Sequence, residues 1–157
     1  MTIAVIQGMR PFPHQYSAWA IAGHDAVVTL EGDRLPPLQS SLPPEFGGSG
    51  EHWSPETLLV AAVADCYSLT FRGLAGKAKL PWTSLACHVT GTLDRVEYVT
   101  RFVEFRVHAQ LQLPEGANED QARRLLEKAE STCLITRSLT APTTLEVVVE
   151  TAALQPT

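Results

Sequence analysis

The segment from Ser54 to Leu80 constrains this chain more than any other. Ser54 suits a helix N-cap, Pro55 the first helical position and Glu56 the positive end of the helix. Leu58, Leu59, Ala62, Val63, Cys66, Leu69 and Thr70 then recur at helical spacing, with Cys66 on the apolar face. Gly73 and Gly76 loosen the far end, and Pro81 stops the element near Leu80. For its first half the helix is apolar almost all round, so it belongs at the centre of a fold. The chain has 157 residues, 45% of them hydrophobic, which is enough to build a core around such a helix as one domain spanning residues 1–157.

The remaining elements follow from pattern. Residues 1–13 are irregular and carry Pro11 and Pro13. Tyr16–Gly23 and Ala26–Leu30 read as strands around a Gly23-His24-Asp25 turn. A Pro/Gly-rich stretch from Gly32 to Gly50 is either a functional loop or partly short strands. Ser84–Leu93 and Tyr98–Leu113 are extended; the second alternates Phe102, Glu104, Arg106 and His108 against Val103, Phe105, Val107 and Ala109. Asn118 opens a second helix, with Glu119 and Asp120 in its first turn and Gln121 three residues on. Its stripe is Ala122, Leu125, Leu126 and Ala129, continuing to Cys133. Thr144–Glu150 is a final strand. The expected class is α+β, an antiparallel sheet packed on two helices including one long central helix.

Charge and cysteine usage narrow the function. The formal net charge is −5 with no basic run, which argues against nucleic acid as a partner. Met1–Gly8 lacks the charged segment and long apolar core of a signal peptide, and no uninterrupted apolar run approaches a membrane span, so the expected location is cytoplasmic without membrane attachment. Three cysteines, Cys66, Cys87 and Cys133, do not make a paired secreted framework, and no Cys-x-x-Cys or completed Cys/His set suggests a metal site. Cys66 and Cys133 each follow an apolar helical pattern. Such thiols suit controlled redox chemistry: if they meet, one can attack an oxidant and the other can resolve the product as a disulfide. The plainer alternative is two packing cysteines. Cys87 reads as a buried bystander.

Ser54-Pro55-Glu56, the Ala-rich helix ending in Cys66, and Ala129-Glu130-x-x-Cys133 together resemble the osmotically inducible protein C and organic hydroperoxide resistance superfamily. The element order agrees from about Tyr16 to Glu150. The resemblance implies an intertwined homodimer that reduces organic hydroperoxides to alcohols. It implies Cys66 as the peroxidatic thiol, forming a sulfenic acid, and Cys133 as the resolving thiol, forming a Cys66–Cys133 disulfide. It implies no bound cofactor, only an external dithiol reductant such as a dihydrolipoyl group. Glu56 is the third site residue it implies, although ten residues of helix separate Glu56 from Cys66, roughly 15 Å along the axis. Glu56 therefore either orients a bridging arginine, serves the partner subunit's site, or only stabilises the helix start.

Two departures stand out. The family's activating arginine has no counterpart in Pro43-Pro44-Glu45-Phe46, leaving Arg34 and Arg10 upstream, and Arg72 and Arg137 in the two cysteine segments, as substitutes. The family's Cys-Pro at the second thiol is Cys133-Leu134 here. Asp65, next to Cys66, would raise the thiol's pKa unless it faces away. Phe46 and Trp53 flank Gly47-Gly48-Ser49-Gly50 and are candidates for an apolar lid, with His52 beside them at a pocket mouth. Two other classes of function remain open: a binder of a small hydrophobic ligand that keeps the fold without the chemistry, and a thiol redox sensor.

Overall fold

The computed structural model describes residues 9–25 and 27–153, which fall into two compact units, Met1–Pro55 and Glu56–Thr157. The first holds a three-stranded antiparallel meander: β1 (Trp19–Ala22), β2 (Val28–Glu31) and β3 (Leu38–Ser40), in that order across the sheet. The two expected strands are present but shorter than read, and Ala26 lies outside the described residues. The long Pro/Gly stretch is partly a strand. A turn from Gly32 to Leu35, with Arg34 in the left-handed region at φ 58°, reverses the chain into β3. Beyond it Gly48 runs so close to Leu42 that any side chain would overlap the Leu42 carbonyl oxygen, so only glycine fits there.

The second unit is built on α1 (Pro55–Lys77). Val63, Tyr67, Phe71 and Ala75 form its buried stripe, at the spacing of one helix face. The helix ends three residues before the expected stop, and proline is not the cause. Leu80 N–H donates to the Ala75 carbonyl (3.0 Å) and Lys79 N–H to Gly76 (3.2 Å), with Lys79 at φ 54°. This is a Schellman closure with lysine in the left-handed position usually held by glycine.

β4 (Ser84–Val96) and β5 (Val99–Leu113) form a long antiparallel hairpin. Its two-residue turn, Glu97-Tyr98, has positive φ at both positions, the twist that suits a tight hairpin. Gly91 of β4 lies under Val60 of α1 and Phe102 of β5, where an added Cβ would come within 2.9 and 2.8 Å of their side chains. α2 (Glu119–Thr132) is capped by Asn118, whose side-chain oxygen accepts from Gln121 N–H at 2.9 Å. β6 (Thr143–Thr151) then pairs with β5 from Phe105↔Thr143 to Leu113↔Thr151.

That last pairing is parallel, where an all-antiparallel sheet was expected. The chain leaves β5 at Leu113, runs back through α2 and re-enters in β5's own direction. The helix therefore acts as the crossover that parallel neighbours require. Val107, Ala109, Leu111 and Leu113 of β5 pack with the α1 stripe and with Ala122, Leu126 and Ala129 of α2 to form the core. Tyr67 ties the two helices together, its buried hydroxyl donating to the Leu126 carbonyl at 3.0 Å. By length and composition α1 is also, among the described residues, the one helix apolar enough to cross a membrane, although no single uninterrupted run suggested it. Its buried stripe belongs to a core, yet Leu69 and much of its remaining apolar surface stay uncovered in one chain.

Candidate functional site

α1 and the turn after α2 bring two sulfurs together. Cys66 lies three turns into α1 and is half-buried. Cys133 terminates α2: its backbone turns extended (φ −61°, ψ 113°), and its side chain is 1% exposed. The short turn that follows is held at Cys133, whose carbonyl accepts from Arg137 N–H (3.1 Å) and from the Thr136 hydroxyl (3.1 Å). Leucine after the cysteine, in place of the family's proline, is compatible with a tight, internally bonded turn. Leu134 is left projecting and exposed.

The electrostatics of Cys66 are a contest. Burial pushes its thiol up, and the neighbouring Cys133 thiol pushes the same way. Against these, the Ile135 backbone N–H and the Thr70 hydroxyl favour the thiolate. Thr70 sits one helical turn on, its oxygen 4.0 Å from the sulfur and bonded at 2.7 Å to the Cys66 carbonyl. The balance is upward. Burial leads that balance rather than the adjacent carboxylate of Asp65, which is exposed. Both thiols are free.

The sulfur of Cys66 opens into a cleft of about 420 Å³. Ala62, Leu69, Leu134 and Ile135 form apolar walls, while Thr70 and Asp65 supply the polar lining. Thr70 and Leu69 were visible only as members of a helical pattern. Their i+4 and i+3 offsets from Cys66 were the available signal. Leu134 and Ile135 had no signal beyond following Cys133.

The other expected site residues lie elsewhere. Glu56 is in the first turn of α1, and ten residues of helix keep it out of the cleft lining. Its Oε2 is buried with no hydrogen-bond partner among the described residues. Among the described residues no arginine lines the cleft. Arg72 and Arg137 are exposed, and Arg34 in the first unit pairs at 3.5 Å with Asp33, both side chains in solvent. Arg10 is exposed as well, its carbonyl bonded to the His14 ring at 2.9 Å. Phe46 and Trp53 belong to the first unit, where both are exposed; Trp53 bridges to Ser40, and its carbonyl accepts from Ser41 N–H at 2.8 Å. Cys87, on β4, faces the core, where burial above all pushes its thiol up to about 11.

Comparison with known proteins places this arrangement. The chain is 28% identical over 116 residues to the uncharacterized protein YmaD of Bacillus subtilis (strain 168), covering 72% of this chain and 77% of that one. An OsmC-like protein of unknown function from Vibrio cholerae superposes with a TM-score of 0.80 at 18% identity, covering 87% of this chain and all of that one. An organic hydroperoxide resistance protein OsmC from Legionella pneumophila superposes with a TM-score of 0.69 at 24% identity, covering 88% and 98% of the two chains. The family model for OsmC-like proteins matches residues 48–148, the stretch that contains α1, both hairpin strands, α2, Cys66 and Cys133: the chain belongs to the OsmC-like protein family.

Proposed function

We propose that this protein is a thiol-dependent peroxidase that reduces organic hydroperoxides to alcohols. The observation that carries the reading is the meeting of the Cys66 and Cys133 thiols, with Cys66 lining an apolar cleft. In the first step the Cys66 thiolate attacks the outer oxygen of ROOH. An S–O bond forms, the O–O bond breaks, and RO⁻ leaves to take a proton as ROH. Cys66 becomes a sulfenic acid. The Cys133 thiol then attacks that sulfur, forming the disulfide and releasing water. An external dithiol, such as a dihydrolipoyl group, returns two electrons and two protons. The apolar walls favour an organic hydroperoxide over hydrogen peroxide, which has no alkyl group to bury.

The same reading includes a cytoplasmic, intertwined homodimer. Apolar surface left open on α1 supports it, as do the exposed Phe12, Tyr16, Trp19 and Ile21 of the first unit. The unpartnered Glu56 oxygen is consistent with a cation supplied by the second copy.

One observation favours a second reading. No lysine or arginine is among the described residues that line the cleft, and burial pushes Cys66 up, as expected of a protein that binds a small hydrophobic molecule without chemistry. The deciding experiment is consumption of cumene hydroperoxide with dihydrolipoamide as reductant. Turnover is expected in the wild type, loss in Cys66→Ser, and rapid inactivation in Cys133→Ser as the sulfenic acid over-oxidises. Consumption no faster than in Cys66→Ser, with the free thiol verified, overturns the peroxidase reading in favour of a binder.

A further inference from the structure

We propose that Cys87 is a third redox thiol, which attacks Cys133 and takes the disulfide over from Cys66. The oxidising equivalents of one hydroperoxide are then held as a Cys87–Cys133 disulfide, and Cys66 is free to react again before any reductant arrives. This rests on the peroxidase reading and extends it to the one thiol that the proposed reaction leaves unused.

All three cysteines of the chain belong to the second unit. Cys133 shares a hydrogen bond with Cys66 and acts electrostatically on both Cys66 and Cys87, so it is the middle sulfur of the three. Cys87 approaches it from the sheet, on the core-facing side of β4 with Leu85 and Val89. Its partner on β5 is Ala109, so no bulky side chain stands directly opposite the sulfur. From α1 the Ser68 hydroxyl lies within hydrogen-bonding reach of Cys87, and the Tyr67 phenol senses its charge. Cys133 is 1% exposed and Cys87 packs against the core, so their nearness is internal to one chain, whichever surface a second copy covers.

In the exchange the Cys87 thiolate attacks the Cys133 sulfur of the Cys66–Cys133 disulfide. The Cys87–Cys133 bond forms, the Cys66–Cys133 bond breaks, and the electron pair leaves on Cys66, which takes up the proton that Cys87 gave away. No outside oxidant or reductant enters. The direction follows from what meets each thiolate. The Ile135 N–H and the Thr70 hydroxyl favour that of Cys66, whereas the Ser68 hydroxyl beside Cys87 also donates to the Ala64 carbonyl at 2.8 Å. The better-stabilised thiolate is the better leaving group, so the disulfide moves inward. It moves slowly. Burial pushes the Cys87 thiol up to about 11, which leaves about 0.03% thiolate at pH 7.5. Of the groups facing Cys87, Ser68 and Ala109 do not titrate, Cys133 is tied in the disulfide, and the Tyr67 phenol is pushed well above its ordinary value. The rate should therefore follow the ionisation of Cys87 itself.

The test is a time course of disulfide mapping on the full-length protein. The reduced chain receives one equivalent of cumene hydroperoxide, is quenched with acid at intervals, labelled with N-ethylmaleimide, digested and read by mass spectrometry. A Cys66–Cys133 link is expected first. A Cys87–Cys133 link with labelled Cys66 should then replace it, at a rate rising about tenfold per pH unit from pH 7 to 9. Without reductant, wild type is expected to consume a second equivalent of hydroperoxide more slowly than the first, and Cys87→Ser only one. A Cys66–Cys133 link that persists at pH 9 with Cys87 labelled as a free thiol overturns the relay and leaves the peroxidase reading intact. A Cys87–Cys133 link that forms as fast in Cys66→Ser also overturns it, since no disulfide was there to take over. A brief pulse of diamide makes the first disulfide without hydroperoxide. Transfer after diamide, in a protein that consumes no hydroperoxide, keeps the relay and sinks the peroxidase reading. If neither oxidant links Cys66 to Cys133, both fall.

Discussion

Tyr67→Phe isolates the bond that registers the two thiol-bearing helices. The hydroxyl of Tyr67 is buried on α1, next in sequence to Cys66, and donates to the Leu126 carbonyl of α2 at 3.0 Å. Phenylalanine keeps the ring and leaves almost no cavity, so the loss is that of one hydrogen bond, about 0.5–1.5 kcal/mol. For a chain of 157 residues the unfolding entropy makes 1 kcal/mol worth roughly 3 °C of melting temperature. A drop of about 2–5 °C at pH 7.5 is therefore expected.

The pH dependence sharpens the prediction. Burial pushes the Tyr67 phenol well above its ordinary value of 10.0. A group whose pKa is raised by folding contributes stability that is complete below the unfolded pKa and is lost as pH rises beyond it. Wild type therefore gives up, through Tyr67, about 1.4 kcal/mol between neutral pH and pH 11 as the unfolded chain alone ionises. Tyr67→Phe cannot lose this, and the other titrating groups are common to both proteins. The stability difference measured by urea unfolding of the reduced proteins should shrink to about zero at pH 11. A gap that stays constant from pH 7.5 to pH 11 would refute the buried hydrogen-bonded phenol. A gap larger than about 3 kcal/mol at pH 7.5 would mean that Tyr67 does more than this bond.

Three further changes probe other parts of the unit. Lys79→Gly relieves a left-handed residue at the end of α1 and should raise stability by about 0.5–1 kcal/mol, read as a higher urea midpoint. Gly91→Ala pushes a methyl to within 3 Å of Val60 and Phe102 and should cost about 1–3 kcal/mol by the same assay, since α1 and β5 must both shift. With its thiol pushed up to about 11, Cys87 should be only about 0.1% thiolate at pH 8, so peptide mapping should show iodoacetamide modifying it far more slowly than a free cysteine.

The parts of the molecule that the sequence determined by itself are those governed by neighbours along the chain. Ser54-Pro55-Glu56 and the apolar run after it located the start of α1, because helix initiation and an apolar face are local properties. Asn118 and Gln121 located the start of α2, and the alternation through Phe105 and Val107 marked β5, for the same reason. The placing of Cys66 and Cys133 on two apolar helical patterns was also local, and it was enough to single them out. Other features were decided only when distant segments met. Whether β6 ran parallel or antiparallel to β5 depended on α2 folding back as a crossover, which no residue of β6 records. The close of α1 was decided by two backbone bonds around Lys79 rather than by Pro81, because a lysine in the left-handed region carries no glycine signal. The cleft is the clearest case. The nearness of Cys133 and the Ile135 N–H beside the Cys66 sulfur are consequences of packing between residues up to 69 apart in sequence. Side-chain pattern states which face of an element is buried; only the assembled core states what it is buried against.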